Sequence, residues 1–171
     1  MKLVLWGKEV QRTFIGAYQN SIHLVMFPRK TQEAQHVVAL ALYGDKLVFA
    51  KHKERGMEWP GGKVEKNETP LEAVIREIRE ETGGIARSAW LVGQYEVIPA
   101  LDKPFFKNIY VVEVAHLIKE GYSGEDTWGP VLLDYDVDPD PQRGFSPLVC
   151  DGVFRFVRSQ VLKRIDKDKK E

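Results

Sequence analysis

The sequence has few of the features that would place a protein in a specialised class. It contains one cysteine, Cys150, so no disulfide can form within the chain, and so little cysteine is typical of a reducing compartment. Its 25 basic and 25 acidic residues give a formal net charge of zero. No overall field therefore attracts nucleic acid or membrane, and an anionic partner must be bound by a local site.

Long hydrophobic runs are missing as well. The apolar run at residues 3–6 is too short for the core of a secretory signal, and no run reaches the roughly 18 apolar residues of a spanning helix. There is no internal repeat and no linker rich in Gly, Ser or Pro. We expect a cytoplasmic protein that binds no membrane and forms one domain over residues 1–171, with a charged, frayed tail at 163–171. The sequence leaves monomer and homodimer open.

Apolar patterning predicts strands and two main helices. Hydrophobic residues make up 43% of the chain, which is enough for a core. The segments that read as strands are residues 22–27, 36–43, 46–52, 90–98, 105–117 and 131–135. Residues 53–62 and 119–130 read as loops, and residues 150–165 as an amphipathic C-terminal helix. This mixture predicts an α/β (mixed α+β) layered domain.

A second helix is predicted directly after Thr69, a good N-cap that is followed by Pro70 at the first helical position. The glycine pair at 83–84 ends it. The spacing i, i+3, i+4, i+7 predicts one apolar stripe facing the core, made of Leu71, Val74, Ile75 and Ile78.

The same helix carries three glutamates, Glu77, Glu80 and Glu81, whose spacing places their carboxylates on one face. They lie near the helix C-terminus, where the macrodipole disfavours negative charge. A solvated face partly neutralised by arginines is the ordinary interpretation of such a pattern. A hard divalent cation such as Mg²⁺ would also remove the repulsion. The preceding Gly61-Gly62 pair allows the main chain to approach the same ion.

The full spacing resembles the Nudix box, Gly-x5-Glu-x7-Arg-Glu-U-x-Glu-Glu-x-Gly-U, where U is a bulky apolar residue. Every named position matches, in the order Gly62, Glu68, Arg76, Glu77, Glu80, Glu81 and Gly83. The single departure is Gly84 at the last apolar position, where we expect a local change of packing. Residues 59–65 are similar to the MutT branch of this family. Residues 93–95 (Gly-Gln-Tyr) and 107–110 (Lys-Asn-Ile-Tyr) resemble a bacterial nucleoside triphosphatase of that branch.

The resemblance to Nudix hydrolases implies an α/β/α sandwich around a central mixed β-sheet. It also implies Mg²⁺ or Mn²⁺ as cofactor, held by Glu77, Glu80, Glu81 and the main-chain carbonyl of Gly61 or Gly62. Arg76 would orient these acids without binding the metal. Glu68 would either support the start of the helix or pair with Arg76.

The expected reaction is the conversion of a nucleoside triphosphate, including 8-oxo-dGTP, to a monophosphate and pyrophosphate. The general base in relatives is an acid of the box or of a later loop, and in this loop we favour Glu125 or Asp126.

A substrate pocket is expected beside the glycine pair. Trp59 forms either a pocket wall or part of the core, and Lys51 or Arg55 is a candidate for the phosphates. Lys63 either contacts phosphate or pairs with an acid. The histidines, His36 among them, are interpreted as structural.

Three alternatives stay open. Some ADP-ribose hydrolases carry a proline about fifteen residues after the box, as Pro99 does here after Gly84. Removal of pyrophosphate from an RNA 5′ end uses the same chemistry, although no stable nucleic-acid partner is expected. A non-catalytic nucleotide-binding module is disfavoured, because such modules usually lose the acids of the box.

Overall fold

The structure is a computed structural model that describes residues 7–119 and 125–168, with side chains as far as residue 165. Its strands are β1 Val10–Ile15, β2 Ser21–Met26, β3 His36–Tyr43, β4 Lys46–His52, β5 Gly56–Glu58, β6 Gly61–Lys63, β7 Gly84–Ile98, β8 Phe105–Leu117 and β9 Thr127–Asp134. Its α-helices are α1 Pro70–Thr82 and α2 Val153–Asp168. Within the described ranges, no helix is both long and apolar enough to cross a membrane.

The strands form one mixed sheet in the order β1-β2-β7-β8-β3-β4-β5, with β6 paired to β3 and β9 paired to β4. The pairing of β3 with β8 is parallel and the neighbouring pairs are antiparallel. Alternate side chains of β3 face opposite layers: Val37 packs with the apolar face of α1, and Leu40 packs with α2. The expected α/β/α sandwich around a mixed sheet is confirmed.

Helix α1 begins with a complete capping box, in which Thr69 and Glu72 exchange hydrogen bonds between side chain and backbone. Only part of the predicted stripe is buried. Leu71 and Ile75 are 44% and 42% exposed, so their assignment to the core was wrong. The helix turns a narrower face to the sheet, formed by Ala73, Val74 and Ile78.

Gly84 stands where the Nudix box has a bulky apolar residue, and the turn after α1 explains this difference. A Cβ on Gly84 would lie 2.7 Å from Cγ2 of Ile78 and 2.9 Å from Oγ1 of Thr82. The chain turns there into β7 so tightly that only glycine fits. The acids of the helix are not involved, because the close contacts are made by Ile78 and Thr82, which are both buried.

Several boundaries differ from the prediction. Strand β1 was not predicted, and β5 and β6 lie in the segment predicted as a loop. Strands β7 and β9 start earlier than predicted because they pair with β8 and β4. Helix α2 starts at Val153 and continues to Asp168, so much of the predicted frayed tail is helical.

Candidate functional site

The site begins where the glycine pair meets α1. Gly61 and Gly62 lie opposite Val38 and Val37 of β3. A Cβ on Gly61 would lie 2.2 Å from the Val37 carbonyl oxygen, and one on Gly62 would lie 2.3 Å from Oε1 of Glu77. Neither position can hold a side chain without displacing its neighbour. The glycines therefore bring bare main chain against the carboxylates of the helix.

Two of the three predicted metal-binding acids are turned toward this main chain. Oε2 of Glu81 accepts a hydrogen bond of 3.0 Å from the Gly61 amide, and burial raises the pKa of Glu81 to about 8. The Glu77 side chain is only 13% exposed, and burial raises its pKa against the opposing effect of the Arg76 guanidinium. Two desolvated carboxylates side by side are costly as anions, and a bound cation would stabilise both.

Arg76 holds the acidic cluster together. Its guanidinium donates to both oxygens of Glu68, at 2.7 and 3.0 Å, and to Glu77 at 2.7 Å. It also donates to the main-chain carbonyl of Lys63 at 3.0 Å. Glu68 in addition accepts from the Glu65 amide at 2.9 Å. Glu68 thus both pairs with Arg76 and supports the loop before α1.

Glu80 is placed differently from its two neighbours. Its carboxylate accepts a hydrogen bond of 3.1 Å from Arg76, its side chain is 40% exposed, and it does not line the cavity described below. In the part of the chain that the structure describes, no three acidic, histidine or cysteine side chains are already grouped as metal ligands. Glu77, Glu81 and the glycine main chain offer the oxygen donors that a hard divalent cation prefers.

A cavity of about 440 Å³ opens beside these acids. Most of the predicted site residues line it: Arg55, Trp59, Gly61, Gly62, Lys63, Glu77, Glu81 and Asp126. The lining residues that the sequence did not identify include His36, His52, Glu58, Tyr95, Lys107 and Leu148.

Besides Glu80 and Arg76, two further predicted residues, Lys51 and Glu125, do not line the cavity. Lys51 is exposed on β4, whereas the next residue, His52, is buried and lines the cavity, because successive strand residues point to opposite faces. Glu125 is exposed, and its backbone carbonyl accepts a hydrogen bond from Nζ of Lys53. Asp126, the other candidate for the general base, does line the cavity.

The basic and aromatic groups near the glycines have defined partners. Arg55 forms a two-pronged ion pair with Glu58, with contacts of 2.7 and 3.2 Å, and Glu58 is only 8% exposed. Trp59 packs edge-on against Phe154, with ring centroids 5.6 Å apart. Trp59 therefore belongs to the core and also presents part of its surface to the cavity.

The floor of the cavity is a row of residues across neighbouring strands. Tyr95 of β7 lies opposite Lys107 of β8, Lys107 lies beside His36 of β3, and His36 lies opposite Lys63 of β6. Burial, followed by the charges of Lys107 and Lys63, lowers the pKa of His36 to about 4. Two of these residues, Tyr95 and Lys107, fall in the short motifs noted in the sequence. Their meeting depends on strand register, which the sequence does not show.

Known proteins resemble this chain in sequence. The NUDIX domain family matches residues 32–132. The curated protein named putative 8-oxo-dGTP diphosphatase YtkD, from Bacillus subtilis, is 39% identical over 121 residues, which are 70% of this chain and 75% of that protein.

Solved structures show the same architecture. A mutant of the Bacillus subtilis pyrophosphohydrolase BsRppH is 32% identical with a TM-score of 0.78, covering 92% of this chain and 97% of that one. A MutT NUDIX hydrolase from Burkholderia pseudomallei is 21% identical with a TM-score of 0.57, covering 77% of this chain and 99% of that one. The latter likeness concerns the fold alone.

Proposed function

The chain belongs to the Nudix hydrolase family, and from this we propose that it is a nucleoside triphosphate pyrophosphohydrolase dependent on Mg²⁺ or Mn²⁺. The substrates would be NTPs or dNTPs, with 8-oxo-dGTP among them, and the products a monophosphate and pyrophosphate. The observation that carries the proposal is one cavity lined both by Glu77 and Glu81 and by Tyr95 and Trp59. Acids that suit a metal–phosphate complex thus share a pocket with aromatic groups that suit a base.

The residues that would hold the metal are Glu77, Glu81 and the main-chain carbonyl of Gly61 or Gly62, with Glu80 as a further acid on the same helix. When bound, the ion neutralises polyphosphate charge and favours ionisation of the attacking water. Arg76 fixes the Glu77 carboxylate from outside the cavity, as residues around metal ligands typically do.

For the general base we propose Asp126 in preference to Glu125. Asp126 lines the cavity, and its carbonyl accepts a hydrogen bond of 2.8 Å from the Lys53 amide, which fixes the backbone at this point. Its carboxylate would take the proton of the attacking water. Arg55 and Lys63 line the same cavity and would contact the phosphates, whereas Lys51 has no such role in this proposal.

Removal of pyrophosphate from an RNA 5′ end is the second candidate. It requires the same bond cleavage, and the likeness to the pyrophosphohydrolase BsRppH extends over 92% of this chain. Pro99, on which an ADP-ribose specificity would rest, follows the end of β7 and is not among the cavity residues. We also propose a cytoplasmic location, because nucleoside triphosphates are produced and consumed there.

The test is a product-resolved assay with Mg²⁺ and with Mn²⁺. The substrates are the dNTPs, the NTPs, 8-oxo-dGTP, ADP-ribose and an RNA with a 5′-triphosphate. We expect monophosphate and pyrophosphate from the triphosphates, and no product when the metal is chelated. Preferential cleavage of ADP-ribose would contradict the proposed substrate class. Absence of turnover on the whole panel would favour a nucleotide-binding module.

A further inference from the structure

Lys107 occupies the middle of the cavity floor. It lies in β8 between Tyr95 of β7 and His36 of β3, and directly opposed residues in neighbouring strands project to the same face. Its Nζ is 5.8 Å from the centre of the Tyr95 ring and 5.7 Å from that of Phe105. The ammonium group is therefore placed between two aromatic rings and lines the cavity.

This ammonium group has no ion-pair partner among the described side chains, since no carboxylate oxygen there lies within 4.0 Å of Nζ. The charges of Asp151 and Glu58 act on this ammonium group, but both acids have other partners. Oδ1 of Asp151 accepts a hydrogen bond of 3.0 Å from the Val153 amide at the start of α2, and Glu58 is paired with Arg55. Burial lowers the pKa of Lys107. A partly buried cation with unused donors is a group that a ligand can satisfy.

Lys107 lies far from the end of the cavity where phosphates would bind, so it is placed to contact the base. Strand β3 separates β8 from the glycine strand β6, and two strand spacings are about 10 Å. The acids of α1 contact β6, so phosphates bound with a metal would lie at that end of the cavity. His36, between the two lysines, has its pKa lowered to about 4 and is uncharged at neutral pH.

An ammonium group only donates hydrogen bonds. Guanine presents two acceptors on one edge, O6 and N7, whereas adenine presents an amino donor beside N7. A cation at the base end of the cavity therefore pairs well with a purine that carries an oxygen at position 6. The amino group of adenine would leave the cation facing another donor.

We propose that Lys107 is a specificity-determining residue that selects 6-oxopurine nucleotides, guanine and 8-oxoguanine included, by donating a hydrogen bond to the oxygen at position 6. This inference rests on the proposed triphosphatase function and names the substrate class of the same cavity. Contact with O6 is common to guanine and 8-oxoguanine. The selection thus concerns the 6-oxo group and extends to unoxidised GTP and to hypoxanthine nucleotides.

The experiment compares kcat/KM for GTP, ITP, ATP and 8-oxo-dGTP in the wild type, in Lys107→Met and in a control, Lys103→Met. Lys103 is an exposed lysine in the loop before β8. We expect the wild type to prefer GTP and ITP over ATP by roughly tenfold to a hundredfold, as one good base contact provides. In Lys107→Met the values for the 6-oxopurines fall toward that for ATP, which changes little. The control keeps the wild-type preference.

Other results would overturn the inference. A wild type without preference for the 6-oxopurines, or a preference that survives in Lys107→Met, would exclude base selection by Lys107. Equal losses for GTP and ATP would assign Lys107 to the phosphates. Absence of all triphosphate turnover would remove the proposed function, and the inference with it. Thermal unfolding reports whether each variant folds. If Lys107→Met does not fold, Lys107→Gln replaces it. Its uncharged amide can still donate, so we expect a preference for the 6-oxopurines below that of the wild type, and an unchanged preference would exclude base selection by Lys107.

Discussion

The carboxylate of Glu81 accepts a hydrogen bond from the main-chain amide of Gly61, which ties the last turn of α1 to β6. The backbone carbonyl of Glu81 accepts a second hydrogen bond, of 3.2 Å, from the hydroxyl of Thr127. Thr127 begins β9 and directly follows Asp126. One residue of the helix is thus in contact with the glycine strand and with the segment that carries the proposed general base.

Replacing Glu81 with glutamine should lower turnover without lowering the stability of the fold. The amide oxygen can still accept the hydrogen bond of Gly61, but the negative charge is lost, so we expect metal-dependent turnover to fall by at least about a hundredfold. Without metal at neutral pH the variant should be at least as stable as the wild type. The raised pKa of Glu81 means that folding costs the uptake of a proton by this acid, and an amide has no such cost. Steady-state kinetics across a Mg²⁺ titration, together with thermal unfolding, test both statements. Glu33→Gln, at an exposed position, is the control. Retention of most of the activity would remove Glu81 from the metal site.

Two glycine substitutions should affect different properties, one the turnover and the other the stability. Gly62→Ala introduces a Cβ that would lie 2.3 Å from Oε1 of Glu77, so the carboxylate must move and we expect a large loss of turnover. Gly44→Ala meets no neighbouring atom within 4 Å, but its φ of +59° is left-handed. We expect it to lower the free energy of unfolding by about 1–2 kcal/mol while turnover stays unchanged. Kinetics and denaturant unfolding of both variants provide the comparison, and an active Gly62→Ala enzyme would contradict the proposed geometry.

Arg76 should not be replaceable by lysine. Its planar guanidinium contacts Glu68, Glu77 and Glu80 at once, and an ammonium group cannot reproduce that geometry. We expect Arg76→Lys to reduce turnover about tenfold to a hundredfold and to weaken metal binding, as the loss of groups that orient metal ligands does. The matched control is Arg79→Lys, at an exposed position of the same helix. Equal activities of the two variants would show that Arg76 contributes only its charge.

His36 should make stability depend on pH below neutrality. Its pKa is lowered to about 4 in the folded protein, whereas an unfolded histidine titrates near pH 6.5. As the pH falls through this window the unfolded chain binds the proton first, so folding becomes less favourable. We expect Tm of the wild type to drop more steeply between pH 7 and pH 4.5 than Tm of His36→Gln. The exposed His116 provides the control substitution, His116→Gln, which should follow the wild type. Parallel curves for wild type and His36→Gln would exclude this effect.

Local features of the chain were predictable from the sequence, and features that depend on pairing were not. Strands β3, β4 and β8 have the predicted bounds, because a strand buried in a sheet is visible in the sequence as an apolar run. The acidic cluster was predictable because its spacing lies within one helix. Strands β5 and β6 contain glycines and few apolar residues, and only their partners make them strands.

The cavity floor could not be predicted for the same reason. Tyr95, Lys107 and His36 come from three strands that are far apart in the chain. The pairing of β7 with β8 also changes register at three places. Even correct strand bounds would therefore not have shown that Tyr95 faces Lys107, since one residue of slip moves a side chain to the other face. His36 was interpreted as structural although it lines the cavity, because no local sequence pattern distinguishes it from a buried core histidine.

The parallel pairing of β3 with β8 has a consequence for biosynthesis. A nascent chain that ends at Gly84 already contains the glycine strand and every acid of the box, but it lacks β7 and β8, which carry Tyr95 and Lys107. Pairing between such distant segments is slow, because a long loop must close before any contact forms. The cavity can thus exist only once the second half of the chain has been made and has folded onto the first. A growing chain on the ribosome would carry the helix with the proposed metal-binding acids before the cavity floor exists.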